Sequence, residues 1–151
     1  KRLKGRITMA IKQITVFVEN KQGALVSITD ILAQNSVNIR ALSIAETNDF
    51  GILRLIVNDE ETAAKMLSEN GYLIKITEVV GVKIGDAPGK LSKALKVLDE
   101  NGINMEYLYA FMSRTEKHAY VVIRVENNVA AETVLTEAGF RLIPQADVDK
   151  L

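Results

Sequence analysis

The sequence predicts an α+β fold built from two βαββαβ units packed together, each an antiparallel sheet with its helices on one face. Three observations carry this. Apolar residues alternate at period two in some stretches and recur at helical spacing in others, in the order strand, helix, strand, strand, helix, strand. That order then starts again. The second pass is also in register with the first: Gly23/Gly89, Leu25/Leu91, Leu32/Leu98, Asn35/Asn101 and Asn38/Asn104 all stand 66 positions apart, and Leu67/Leu135 and Gly71/Gly139 stand 68 apart. Identities held at one spacing mark a duplication, with two extra residues in the second hairpin region.

The elements follow in order. Ile11–Val18 alternates Ile14, Val16 and Val18 against Lys12, Gln13 and Thr15, a strand with one polar-leaning side. Leu25, Ile28, Ile31 and Leu32 give a helix from Ala24 to Asn35. Asn38–Glu46 and Phe50–Val57 are strands around a Thr47-Asn48-Asp49 turn. Asp59 caps a helix that buries Ala63, Ala64, Met66 and Leu67 and stops at Gly71, and Leu73–Ile76 is a short fourth strand. In the second pass Val79–Ile84 is a strand and Lys90–Asn101 a helix; Ile103–Met112 and His118–Val125 form a hairpin. Val129–Ala138 is a helix and Phe140–Ile143 the last strand. In the hairpin Tyr107, Tyr109 and Phe111 stand on one side and Leu108, Ala110 and Met112 on the other. With both sides apolar, the sheet face away from the helices is expected to lie against the sibling half or a second chain, with the tyrosines free to wall a pocket there.

Bulk composition narrows the function. The chain has 151 residues and a formal charge of zero, but its first eight residues hold four of the 19 basic residues and none of the 19 acidic ones. From Met9 onward the balance is therefore 15 to 19, a mildly acidic body that disfavours general nucleic-acid binding. Residues 1–9, with Met9-Ala10 at the junction, read as a remnant ahead of the native start, with a natural basic arm as the alternative; the two units then span residues 10–77 and 78–151. There is no cysteine, and His118 is the only histidine, so sulfur-ligated and multi-histidine metal sites are excluded; no metal and no cofactor are expected. No apolar run reaches membrane-spanning length and no secretory signal is visible, so a cytoplasmic protein without a membrane partner is expected.

The candidate site is the bend between the first strand and first helix of each unit. In the second unit it reads Gly85-Asp86-Ala87-Pro88-Gly89-Lys90-Leu91, and its earlier echo is Glu19-Asn20-Lys21-Gln22-Gly23-Ala24-Leu25. Asp86 suits an N-cap, Pro88 a first helical turn, and Gly89 a close approach to the backbone. Such a bend leaves N–H groups unpaired at the positive end of a helix, a seat for an anion. Asn20 and Asp86 read equally as plain helix caps, and Asn38 and Asn104 as turn residues that tolerate left-handed geometry.

A duplicated βαββαβ unit with a polar-turn-Gly-x-Leu bend after its first strand, and Val37-Asn38-Ile39 or Ile103-Asn104-Met105 after its first helix, resembles the ACT domain family of regulatory domains. The resemblance covers residues from about Ala10 to Ile143 and implies two ferredoxin-like units of the stand-alone tandem kind, without a catalytic domain. It also implies an amino-acid ligand bound where ACT units meet, a homodimer, and an amino-acid-metabolism enzyme as the regulated partner. The residues implied to bind are Asn20, Gln22, Gly23, Ala24, Leu25 and Asn38 in the first half and Asp86, Pro88, Gly89, Lys90, Leu91 and Asn104 in the second. The first half is most similar to the serine-binding regulatory domain of phosphoglycerate dehydrogenase through Glu19-Asn20-Lys21-x-Gly23, with Asn20 as a ligand contact and Asn38 as its partner on the adjoining strand. It departs from that pattern at Val18, where the serine site has a histidine, and at Gln22, where it has a proline, which implies an amino acid more apolar than serine. The alternative is a protein-interaction subunit whose ligand sites have degenerated.

Catalysis is not expected. Acylphosphatases share this chain order but need an arginine in the first strand–helix bend, and neither bend holds one. No nucleophile–base pairing or Walker-type loop occurs either. The Asp49-Phe50-Gly51-Ile52 run is a faint echo of RNA-recognition modules, which the acidic body opposes.

Overall fold

β1 (Ile11–Glu19), α1 (Ala24–Gln34), β2 (Ile39–Glu46), β3 (Phe50–Val57) and α2 (Glu60–Glu69) lead into β4 (Leu73–Gly85). α3 (Lys90–Glu100), β5 (Met105–Ala110), β6 (His118–Val125), α4 (Asn128–Glu137), β7 (Arg141–Ile143) and a 3-10 helix, Gln145–Lys150, complete the chain. The computed structural model describes residues 9–47, 49–113 and 118–151; the basic opening, Asn48 and the middle of the second hairpin connection lie outside them.

The strands form one antiparallel sheet in the order β2-β3-β1-β4-β6-β5, with β7 also on β4. The first half is β2-β3-β1-β4, and the second repeats it as β5-β6-β4-β7. β4 serves both. Residues 73–79 pair with β1 and residues 80–85 with β6. The sequence suggests two strands with a short break near Thr77-Glu78; instead the ladder runs through, because β1 holds this stretch as far as Ile11↔Val79.

The sheet curls until its outer strands meet. Ala41 of β2 and Phe111 form a bridge, the Met112 N–H donates to the Arg40 carbonyl at 2.8 Å, and the two exposed edges thereby protect each other at that point. Phe111 continues the hairpin as expected, its N–H donating to the Tyr120 carbonyl at 2.9 Å, and its other edge makes this closure.

Three cores result. Ile14, Val16 and Val18 pack under α1 and α2 with Ile28, Leu32 and Leu67; Val80, Val82 and Ile84 pack under α3 and α4 with Ala94, Leu98 and Leu135. The third lies between the helix-free faces and holds Ile11, Ile56, Val79, Tyr109, Phe111 and Val122, with Val148 and Leu151 sealing it. Each large aliphatic side chain buried there contributes about 1.5–3 kcal/mol. A handful therefore rivals the whole stability of a roughly 65-residue unit, which explains why the halves pack face to face. The tyrosine side of the hairpin faces this shared core, and Leu108 packs on the helix side.

The polar-leaning side of β1 is not solvated. Gln13 is 0% exposed, and its side chain bonds Thr15, Tyr107 and Tyr109 across the shared core. Arg40, at 5% exposure, donates to the Leu151 and Val148 carbonyls at 2.6 and 3.4 Å and pairs with Asp149, pinning the chain's last turn.

Candidate ligand seats at the two bends

The two bends are copies. Gly23 (φ +87°, ψ −10°) and Gly89 (φ +88°, ψ −10°) are the N-caps of α1 and α3, both left-handed. The Ala24 N–H donates to the Lys21 carbonyl and the Lys90 N–H to the Ala87 carbonyl. The helical ladders begin at Ser27 N–H to Gly23 and Lys93 N–H to Gly89. Among the described residues the N–H groups of Leu25 and Val26, and of Leu91 and Ser92, donate to no backbone carbonyl outside the helices, which is the condition for seating an anion.

The caps differ from expectation. Asp86 does not cap α3 and Pro88 precedes its first turn, because the left-handed glycine closes the bend and sets the helix start one residue beyond itself. No side chain caps either helix. A Cβ built on Gly23 or Gly89 meets nothing within 4 Å, so both glycines are required for positive φ and not for close approach.

Each bend borders a cavity, and the two occupy equivalent places. The first, about 610 Å³, has Gln22, Gly23 and Ala24 on one side and Phe17, Phe50, Tyr72 and Leu73 on the other. Glu19 and Lys21 at its rim pair with each other at 3.5 Å. The second, about 350 Å³, is lined by Gly85 and Lys90 from the bend region with Lys83, Lys93, Phe140 and Arg141. All lining residues of each cavity come from its own half. A site spanning two ACT-like units at either bend would thus need a second chain; the hollow that the two halves do share, about 900 Å³ between residues 75–78 and 124–129, lies away from both bends.

Of the residues singled out in the sequence, Gln22, Gly23, Ala24 and Lys90 line these cavities. Asn20, Leu25, Asp86, Pro88, Gly89 and Leu91 belong to the bends without lining them, and Leu25 and Leu91 are both exposed. Asn38 cannot partner Asn20 within one chain. It precedes β2, which runs parallel to β1, so the two asparagines sit at opposite ends of the sheet; Asn38 instead exchanges hydrogen bonds with Asn58. Asn104 likewise lies at the far end of its unit, in a separate hollow beside Asp99 and Ile103. Phe50, Tyr72 and Leu73 escape motif reading, because β3 and the entry to β4 bring them to the bend from distant sequence; Phe17 stands on β1, just ahead of the motif. Among the described residues no three His, Cys, Asp or Glu side chains group to hold a metal ion, and no helix is long and apolar enough to cross a membrane.

The profile of the ACT domain pair family matches residues 9–151. The chain belongs to the ACT domain pair family. A crystal structure of a protein from Bacteroides thetaiotaomicron shares 42% identity with this ACT pair at a TM-score of 0.89, covering 95% of this chain and 99% of that one. The ligand-free regulatory subunit of aspartate kinase from Thermus thermophilus has the same fold at 17% identity and a TM-score of 0.63, covering 85% and 92% of the two chains. The aspartate kinase of Synechocystis is similar at 20% identity and a TM-score of 0.57 over 87% of the ACT pair and 27% of that chain. No curated protein matches the sequence of the ACT pair.

Proposed function

We propose that this ACT pair is a non-catalytic regulatory protein of the cytoplasm that binds an amino acid with an apolar side chain in its first-half cavity. The observation that carries the reading is the pairing of opposite chemistries around about 610 Å³: the Gly23 bend on one side and Phe17, Phe50 and Leu73 on the other. A ligand carboxylate would sit at the bend N–H groups, its ammonium beside the Glu19 carboxylate, and its side chain among the aromatic rings. Exposed Leu73 and Phe50 stand at the mouth, where a second copy would cover them and close the site, in keeping with a homodimer.

Thermal denaturation of the full chain against the twenty amino acids tests this. A ligand at 100 times its Kd adds about 2.7 kcal/mol and raises Tm by several degrees. Leu73→Arg should abolish that rise. If no amino acid shifts Tm, the second reading takes its place: a subunit that docks on an amino-acid-metabolism enzyme through the 70%-exposed Leu73 and its neighbours, testable by co-purification with such an enzyme.

A further inference from the structure

The two cavities share their geometry and differ in charge. At the place of Phe17 in the first half stands Lys83 in the second; at the place of Leu73 stands Arg141. Ala24 and Ser27 are likewise replaced by Lys90 and Lys93, and the single acid, Glu19, by Gly85. One change runs the other way, Lys21 giving way to Ala87, but the first cavity's charges, Glu19 and Lys21, cancel, whereas the second holds four cations and no acid.

The strand register makes the arrangement unfavourable without a counter-charge. Phe17 and Leu73 lie directly opposite across the β1–β4 ladder, where two apolar side chains attract. Lys83 and Arg141 hold the corresponding positions across the β4–β7 ladder, where two cations repel. None of Lys83, Lys90, Lys93 and Arg141 forms an ion pair among the described residues. No acid lines the cavity, and Asp86 and Glu137, the acids closest in sequence, are exposed and pair with none of the four cations. Gly85 contributes a different element. A Cβ built there would stand 3.2 Å from Cγ, Cδ and Cε of Lys90, so the glycine makes room for the lysine stem to lie across the cavity floor.

We propose that this second-half cavity is a seat for a small oxyanion carrying two or more negative charges, of the phosphate or polycarboxylate kind. Four cations converge on about 350 Å³, a space suited to such a group with a short carbon body. The acidic balance of the rest of the chain opposes a nucleic acid as the occupant. This assignment does not rest on the amino-acid reading of the first-half cavity.

The test is thermal denaturation of the full chain at low ionic strength with pyrophosphate, with citrate, and with potassium chloride at matched ionic strength. Pyrophosphate or citrate should raise Tm where chloride does not; which of the two acts more strongly separates phosphate from carboxylate ligands. Lys90→Ala with Lys93→Ser, exposed positions given their first-half counterparts, should weaken binding by about tenfold or more. Lys83→Phe with Arg141→Leu should abolish the anion effect and raise Tm without any anion, by removing the repulsion. Leu73→Arg, which disrupts the first-half cavity, should leave the anion effect intact. A rise equal to that with chloride, or one retained in Lys90→Ala/Lys93→Ser, overturns the proposal. So does a larger rise with duplex DNA that the same double variant removes.

Discussion

The Tyr109 hydroxyl donates to Gln13 Oε1 at 2.7 Å, joining the second half to the first inside the core the two share. Burial pushes the Tyr109 phenol well above its ordinary range, with neighbouring Tyr107 adding and Arg54 opposing, so the hydroxyl keeps its proton to donate. Tyr109→Phe strands a buried amide oxygen and should cost about 1–3 kcal/mol. Tyr107→Phe should cost less, because Gln13 Nε2 keeps Thr15 as an acceptor and the ring stays under the Arg54 guanidinium 3.7 Å above it. Urea unfolding with an unchanged m value checks both; equal costs would contradict this account.

Arg40→Met should loosen the last turn of the chain. The guanidinium is buried and makes its short bond to the Leu151 carbonyl, so its loss leaves that carbonyl and Val148's without a donor. A loss of about 1–3 kcal/mol is expected, with faster amide exchange across residues 145–151. Arg40→Lys should fall in between, since a compact ammonium has donors but not the planar spread by which Nε and Nη2 reach the Val148 and Leu151 carbonyls separately.

Gly23→Ala and Gly89→Ala should each cost about 1–2 kcal/mol, the penalty for an L-residue held left-handed. The two values should agree, because the angles agree and neither site is crowded. Asn at either position should cost less than Ala. Chemical denaturation of the four variants decides it, and a marked difference between the halves would mean the bends are not equivalent.

Gly81→Ala tests crowding instead of conformation. A Cβ there would stand 2.5 Å from Ile11 Cδ1 and 3.1 Å from Ile143 Cβ, at the middle of β4. The isoleucine methyl can turn away but the β7 backbone cannot, so about 1–3 kcal/mol of overpacking is expected. Shortening Ile11 to Val in the same chain should recover part of it.

Asp59 gives the pH limb. Hydrogen bonds from the Thr62 hydroxyl and then the Thr62 N–H hold its carboxyl below the ordinary value of 3.8. A carboxyl with a lowered folded pKa stabilises fully above its unfolded pKa and loses that contribution as pH falls through the folded one. Stability should thus fall with acid from pH 3.8 downward, and Asp59→Ala should flatten that part of the curve in denaturation scans at stepped pH.

Local patterns gave the element order, the duplication and the Gly23 and Gly89 bends, because a 66-residue offset and period-two or helical spacing are properties of the chain itself. What escaped reading depends on partners. Gln13 looks like a solvated strand residue until the second half brings its tyrosines. Phe111 keeps its hairpin bond to Tyr120, but nothing local tells that its other edge meets β2, and Thr77-Glu78 looks like a break until β1 bridges it. Asp86 looks like a cap from its residue type, whereas the left-handed glycine three residues later decides where the helix begins. Asn20 and Asn38 share a motif in sequence but stand at opposite ends of the sheet, and only the strand register reveals that. The same holds for Lys83 and Arg141, unremarkable 58 positions apart and directly opposed in the ladder.

β4 begins at Leu73, on the wall of one cavity, and ends at Gly85, on the floor of the other. Thirteen hydrogen-bonded residues leave no loop at the junction to absorb a change in backbone angles. A clamshell motion between the halves therefore has no pivot. Occupancy at one end can reach the other only as torsion or tension carried along a shared beam.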